Sequence, residues 1–386
     1  MNFFSNKAHV YTTVKTCEAL AMQDGARIIL LSTDNSLTEV AAKKDFFKKH
    51  NVRREFEIVS LRSFANAMKG SDMRLMNWLE TVLANMSVLS YVISQRDTFD
   101  VLYFRDTSLF VPILTAKYIL RKPIFIELHA VLHKRYKQAF NNLFANISDG
   151  LIAISWGLRE YYEKMNSRIV VAFCAAAEPE RFTLIHENKE RLREDLHLPQ
   201  DKIILMYSGN LYKTGNYDSY GIEDIIKAIP LLDDLFIFVG VGKKGDETKE
   251  HEMLAAELGV AERVIFLPWT TKQEIYRYWL AADILLMPAA GAQIGNSPTK
   301  MFEYLAAGRP IVSADTQAIA EVLRDQENAL LVEYKNPGSW AEAIKSIIDY
   351  PELGARLVAR ALLDSREYTW QKRGATIWGF ISSVIP

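Results

Sequence analysis

Between Ser297 and Val312 the chain reads SPTKMFEYLAAGRPIV, a run whose residue types suit the capture of a diphosphate. Ser297 and Pro298 open a helix, and proline at a first helical position lacks an N–H that would have no partner there anyway. The amides of Thr299, Lys300 and Met301 then point out of the helix start, where the dipole favours an anion. Lys300 adds a full positive charge at the same place. Glu303, one turn further on, is within reach of a ribose diol beside a bound diphosphate. A lysine and a glutamate three apart also occur on ordinary solvated helices, so the pair takes its meaning from the whole run.

Other polar residues fall at the ends of apolar runs. DVLYFRD (100–106) and PIFIELHA (123–130) deliver Arg105 and His129 to strand tips, the favoured address for chemistry in parallel sheets. An arginine after an apolar strand also pairs with carboxylates, and Asp106 and Glu127 are the neighbours available. FVGVGKKGDE (238–247) holds Gly240, Gly242 and Gly245, a weak nucleotide signal when taken alone.

The elements that must position these residues alternate between strand-like and helical patterns. Apolar runs at 26–32, 56–61, 100–104, 123–128, 150–155 and 168–173 form one series. A charged stretch follows, and a second series lies at 203–209, 235–240, 263–268, 283–288, 310–314 and 328–333. Such alternation indicates parallel sheets wrapped by helices, and 386 residues suit two cores better than one. The expected fold class is α/β, with two Rossmann-like domains facing a central cleft. Gly308 and Pro310 end the helix after Lys300, and Ile311 starts the next strand. After Trp340 the pattern is helical, and Trp370 and Trp378, eight apart, share a helix face as packing anchors.

With that frame, the 297–312 run resembles the signature of the GT-B glycosyltransferases of family 4, in which it holds the nucleotide of a sugar donor. The resemblance covers nearly the whole chain. It implies an acceptor-side domain over residues 1–183, completed by a C-terminal helix at 369–386 that crosses back, and a donor domain over 184–368. Asn6, Lys7 and His9 correspond to a loop facing the acceptor or a phosphate, with Arg105 on the same side. His129 lies, by the resemblance, near the reacting sugar, and Lys300 and Glu303 grip phosphate and ribose. Gly209, Asn210, Lys213, Gly240, Ser297, Pro298, Thr299 and Met301 belong to the donor site. Trp269 either stacks on the base or caps the core. The chain departs from the family pattern at three positions. Asn210 and Tyr220 stand where an arginine and a lysine are usual, which leaves Lys213 to supply a second cation. Gly295 stands where the first of two paired glutamates is usual, so Gln293, Asn296 or backbone amides must meet the sugar.

The expected activity is retaining transfer of a sugar from a UDP- or GDP-sugar to a carbohydrate or lipid-linked acceptor hydroxyl, in bacterial surface polysaccharide or glycolipid synthesis. No cofactor or metal is expected, and no Asp-x-Asp triplet occurs in the chain. Two alternatives stay open: a GT-B epimerase acting on a UDP-sugar, and a nucleotide-sugar-binding subunit without catalysis. A dehydrogenase is disfavoured because no G-x-G-x-x-G opens the first helix. Lys and Arg total 46 against 47 for Asp and Glu, which gives no global field for nucleic acid. Cys17 and Cys174 are too few for a disulfide framework, and a reducing cytoplasm fits. No stretch is long and apolar enough to span a bilayer. AAKKDFFKKHNVRR (41–54) interleaves Phe46 and Phe47 with cations, which suits either a helix resting on anionic lipid at the inner membrane face or a solvated basic helix.

Overall fold

The computed structural model describes residues 8–32, 40–61, 73–105, 107–132, 134–174, 176–211, 221–243, 245–288 and 298–385. The chain divides into two compact units, Met1–Cys174 with Trp370–Pro386, and Ala175–Thr369.

In the first unit, β1 (Ile29–Ser32) and β2 (Glu57–Ser60) pair in parallel, and β3 (Leu102–Phe104), β4 (Ile124–Leu128), β5 (Gly150–Ala153) and β6 (Ile169–Val171) form a second parallel sheet in that order. The central strands β4 and β5 lack alternation because helices cover both faces of the sheet, so their successive side chains are all buried. On one face lie α4 (Phe110–Leu114, continued by a π turn at Thr115–Ile119), α5 (Arg135–Ile147) and α6 (Trp156–Tyr162). Their Ile113, Phe144 and Leu158 share a core with Phe104 and Ile126. On the other face lies α1 (Ala8–Ala21), which contributes Leu20 to a core with Phe125 and Ile152. Two further helices, α2 (Val40–Lys49) and α3 (Met73–Ser94), cover β1 and β2. Phe46 and Phe47 of α2 are buried in that core, so this helix shows its surroundings the charges of Lys44, Lys48 and Lys49 and no aromatic side chain.

The second unit begins with α7 (Pro179–Phe182) and α8 (Lys189–Asp195). A six-stranded parallel sheet follows, of β7 (Ile203–Asn210), β8 (Phe236–Lys243), β9 (Val264–Pro268), β10 (Ile284–Met287), β11 (Ile311–Ala314) and β12 (Leu330–Val332), in the order β12-β11-β10-β7-β8-β9. It is flanked by α9 (Ile222–Ala228), α10 (Asp246–Glu257), α11 (Lys272–Ala281), α12 (Thr299–Ala306), α13 (Gln317–Ala320), α14 (Pro337–Asp349) and α15 (Pro351–Ser365). The order reverses at β7, which makes the carboxyl ends of β7 and β10 the switch point where ligands bind in such sheets. The division falls earlier than the expected boundary at residue 183. Phe182 packs edge-on to Tyr276 of α11, and the Ala177 amide donates to the Tyr368 carbonyl at 2.6 Å, so the segment before residue 184 is tied to the second unit.

The last helix, α16 (Trp370–Val384), belongs to the first unit. It lies so close to α1 that a Cβ at Gly374 would sit 2.5 Å from the Ala19 carbonyl oxygen. Ile377 and Ile381 enter the core with Leu20, and Trp370 is buried against Tyr11. Arg373, next to the close approach, is buried and donates to the carbonyls of Ala172 and Phe173, to Thr16 and to Glu127, the last at 2.6 Å. No helix among the described residues is long and apolar enough to cross a membrane.

Breaking a buried ion pair from one side leaves its partner uncompensated. Arg373→Met is therefore expected to destabilise the first unit by about 3–5 kcal/mol, read as a lowered urea midpoint for that unit in the full chain.

Candidate donor and acceptor sites

In the second unit the site starts from two glycines. Gly209 and Gly242 are register partners at the ends of β7 and β8, and a Cβ on Gly242 would overlap the Gly209 carbonyl oxygen. Gly209 has φ +147°, and a Cβ there would meet the Lys300 Nζ at 2.6 Å and the Tyr207 hydroxyl at 2.7 Å. The missing side chain is thus the space that the lysine occupies. Lys300 Nζ lies 3.9 Å from the centre of the Tyr207 ring, a cation on a π face. Burial lowers the Lys300 pKa from 10.5 to about 7, with Glu303 opposing the shift.

Helix α12 starts at Thr299, one place later than expected, with Pro298 at the capping position instead of the first helical one. The Met301 amide is turned back to the Pro298 carbonyl at 3.1 Å and its side chain is fully buried, so Met301 offers an anion neither group. The amides of Thr299 and Lys300 remain at the helix start, where intrahelical partners do not exist. Glu303 is buried, and its Oε1 accepts from Lys272 Nζ at 2.8 Å and from the Tyr276 hydroxyl at 3.1 Å. Its Oε2 has no hydrogen bond among the described residues, which leaves one oxygen for a diol. Lys272 also lies 3.8 Å from Glu178, itself paired with Arg181. Behind this, the Tyr304 hydroxyl accepts from the Ser208 amide at 3.2 Å, and Trp279 Nε1 donates to Ser208 Oγ at 3.0 Å, fixing α11 and α12 to the tip of β7.

The remaining donor-side expectations divide. Asn210 is half-buried at the end of β7, and its carbonyl accepts from the Tyr207 hydroxyl at 3.3 Å. Gly240 meets a packing requirement, since a Cβ there would press on Phe266 and Leu211 of the core. Trp269 is 56 % exposed just beyond β9, which removes the core-capping alternative. Lys213, Gln293, Asn296 and Ser297 lie outside the described residues. Lys272 and Tyr276 were not anticipated. The signal available was their spacing of four on a helix opened by Thr271, whose hydroxyl accepts from the Glu274 amide.

In the first unit, Glu127 at the end of β4 gathers Arg105, expected on the acceptor side, and His129, expected near the reacting sugar. Its fully buried carboxylate accepts from Arg105 Nε at 3.0 Å, Arg373 at 2.6 Å, His129 Nε2 at 2.9 Å and the Tyr103 hydroxyl. Burial alone would raise the Glu127 pKa, but Arg105, Arg373 and His129 hold it well below the usual carboxylate range. Arg105 is thus a partner of Glu127, and it also donates to Thr13 in the second turn of α1. His129 is partly exposed, and with Nε2 turned to Glu127 its Nδ1 is the ring atom left for a ligand. His9 is exposed in the first turn of α1, while Asn6, Lys7 and Asp106 lie outside the described residues.

Residues 188–363 match the family of glycosyl transferases group 1. That match covers most of the second unit. Over 217 residues, half of this chain, the sequence is 25% identical to a D-inositol 3-phosphate glycosyltransferase of Nocardioides, and over 219 residues 28% identical to that of Acidothermus cellulolyticus. The chain spans about half the length of these curated relatives, 47% and 48%. Among solved structures, Anabaena HepE in complex with UDP is similar over 98% of both chains, with a TM-score of 0.74 at 17% identity. A glycosyltransferase from Rickettsia africae is similar over 99% of this chain and 96% of its own, with a TM-score of 0.76 at 13% identity. The fold is therefore GT-B, two Rossmann-like domains in one chain.

The lysine gives a test that needs no ligand. Between pH 7 and the ordinary lysine value of 10.5 the unfolded chain binds a proton that folded Lys300 does not, so this group makes stability rise with pH across that window. Lys300→Met removes the penalty. The variant should unfold at higher denaturant than wild type at pH 7, with the difference closing as the pH approaches 10.5.

Proposed function

We propose that this chain is a retaining, metal-independent hexosyltransferase of family 4 that moves a sugar from a UDP- or GDP-sugar to an acceptor hydroxyl. The setting is bacterial surface polysaccharide or glycolipid synthesis at the cytoplasmic face of the membrane. The observation that carries the reading is the Lys300 amine under Gly209, with the open oxygen of Glu303 one turn along the same helix. UDP in the HepE structure supports a nucleotide as the occupant.

The chemistry needs a leaving diphosphate to be stabilised while the anomeric carbon is attacked from the face it departs. The bond from that carbon to the phosphate oxygen breaks, the bond to the acceptor oxygen forms, and the acceptor proton passes to the diphosphate. Lys300, charged when an anion is beside it, and the amides of Thr299 and Lys300 are preorganised for that developing charge. Glu303 holds the ribose, and Lys272 and Tyr276 keep its carboxylate pointed. Trp269 stacks on the base, Asn210 lines the phosphate side, and Lys213, Gln293, Asn296 and Ser297 complete the donor contacts. His129, held through Nε2 by Glu127, presents Nδ1 to the sugar, with His9, Asn6 and Lys7 on the acceptor side.

Calorimetry with a panel of UDP- and GDP-sugars is expected to find one donor whose affinity falls about tenfold or more in Glu303→Ala, the loss of a charge-assisted hydrogen bond. Binding of no nucleotide sugar, UDP or GDP would sink the proposal. Tight binding without hydrolysis or transfer would turn it to a non-catalytic subunit, and turnover without acceptor to an epimerase. Once a donor is known, His129→Ala should lower kcat about 100-fold while leaving donor affinity near wild type. Unchanged turnover would take His129 out of the mechanism.

A further inference from the structure

At the amino edge of the second unit's sheet, opposite the tips of β7 and β8, lies a cavity of about 290 Å³. It is lined by Lys189 at the start of α8, Ala282 and Asp283 before β10, and Gly308, Arg309 and Pro310 before β11. Its size is at the lower limit of small-molecule sites, about 300 Å³. The wall holds one carboxylate, and that carboxylate has partners to spare. Asp283 Oδ1 accepts from Lys189 Nζ at 2.8 Å, while Oδ2 accepts from Arg193 Nη2 at 2.6 Å and from the Ile204 amide at 2.7 Å. The Lys189 side chain is 37 % exposed, so its amine can turn to a second anion while Arg193 and the amide keep Asp283 satisfied.

Arg309 makes no ion pair among the described residues. Its Nη1 and Nη2 donate to the carbonyls of Gly308, just past α12, and Leu280, in the last turn of α11, and its buried Nε has no hydrogen bond among the described residues. Burial lowers its pKa, with Asp283 opposing the shift and Arg193 adding to it, as for a guanidinium whose charge is incompletely compensated. Closing two helix ends accounts for the Nη donors, but not for Lys189 beside them or for the open volume between. Lys189, Arg193 and Arg309 against Asp283 leave two formal positive charges at the cavity. A phosphoryl group, which carries close to two negative charges and accepts several charge-assisted hydrogen bonds, is the complement of that wall. We infer that this cavity binds a phosphoryl dianion between Lys189 and Arg309, either free phosphate or the phosphate monoester of a small molecule. The inference does not rest on the donor reading, which concerns the opposite edge of this sheet, although α12 joins the two places.

The test is calorimetric titration of the full chain, at constant ionic strength, with inorganic phosphate, glycerol 3-phosphate and acetate in turn. Saturable binding of phosphate is expected, tighter than that of acetate, and Lys189→Gln should weaken it about tenfold, the loss of a charge-assisted hydrogen bond. Lys300→Met, at the other end of α12 and roughly 12 Å along its axis, should leave this binding in place, which separates the cavity from the donor side. Arg309→Gln should also weaken binding. Because that change uncaps two helix ends, its melting curve is recorded alongside, and Lys189→Gln, which leaves Asp283 two partners, decides the matter if Arg309→Gln unfolds. Tighter binding of the ester than of phosphate supports a phosphorylated small molecule as the occupant, and equal or weaker binding supports free phosphate. The inference is overturned if phosphate shows no saturable binding, or if acetate binds as tightly. It is equally overturned if Lys189→Gln leaves the affinity unchanged, or if Lys300→Met abolishes all phosphate binding.

Discussion

The first unit depends on one carboxylate that water does not reach. Glu127 sits at the end of a central strand with both oxygens buried, and a lone charge there would be strongly destabilising. Two arginines, a histidine and a tyrosine meet it, and each comes from a different place: the end of β3, the last helix, the residue after β4 and the middle of β3. The requirement to surround that charge therefore sets where β3, β4 and α16 can lie. It also explains why His129 and Arg105 are held so closely. They are constrained by the anion before any substrate arrives, which is the preorganisation a positioned ring needs.

The second unit solves the opposite problem, a buried cation. Lys300 reaches back over two glycines that let β7 and β8 approach backbone to backbone, and it rests on the ring of Tyr207 without an ion pair to a carboxylate among the described residues. The lowered pKa is the measure of how incompletely that environment compensates an ammonium. Glu303, three residues on, is spoken for by Lys272 on one oxygen only. A site with an undersatisfied cation beside a half-satisfied carboxylate is chemically asymmetric, and a diphosphate joined to a diol has the complementary asymmetry.

The strands were legible in the sequence because parallel strands buried on both faces read as plain apolar runs, and a strand begins in every run from 26–32 to 328–333. The helix at Thr299 was legible from Pro298, Lys300 and the buried side of MFEYLA. What sequence spacing missed was pairing across distance. Lys272 and Glu303 are 31 positions apart, Glu127 and Arg373 are 246 apart, and no local pattern announces either contact. Phe46 and Phe47 left two readings open because a basic helix with adjacent aromatics has the same composition whether the rings face lipid or a core, and the structure buries both rings. The packing role of Gly240 was illegible in the same way, since a glycine that spares a ligand and one that spares a phenylalanine look alike.

The arginine on α16 has a consequence for how the protein is made. A ribosome delivers Glu127 long before Arg373, and in the interval the second unit, continuous from Ala175 to Thr369, is synthesised entire. The second unit can close on the nascent chain, whereas the first must wait with its buried anion short of a counter-charge until residue 373 has been added. Translation thus imposes an order in which the later-encoded domain matures first, and a chain released before residue 373 would be a substrate for quality control.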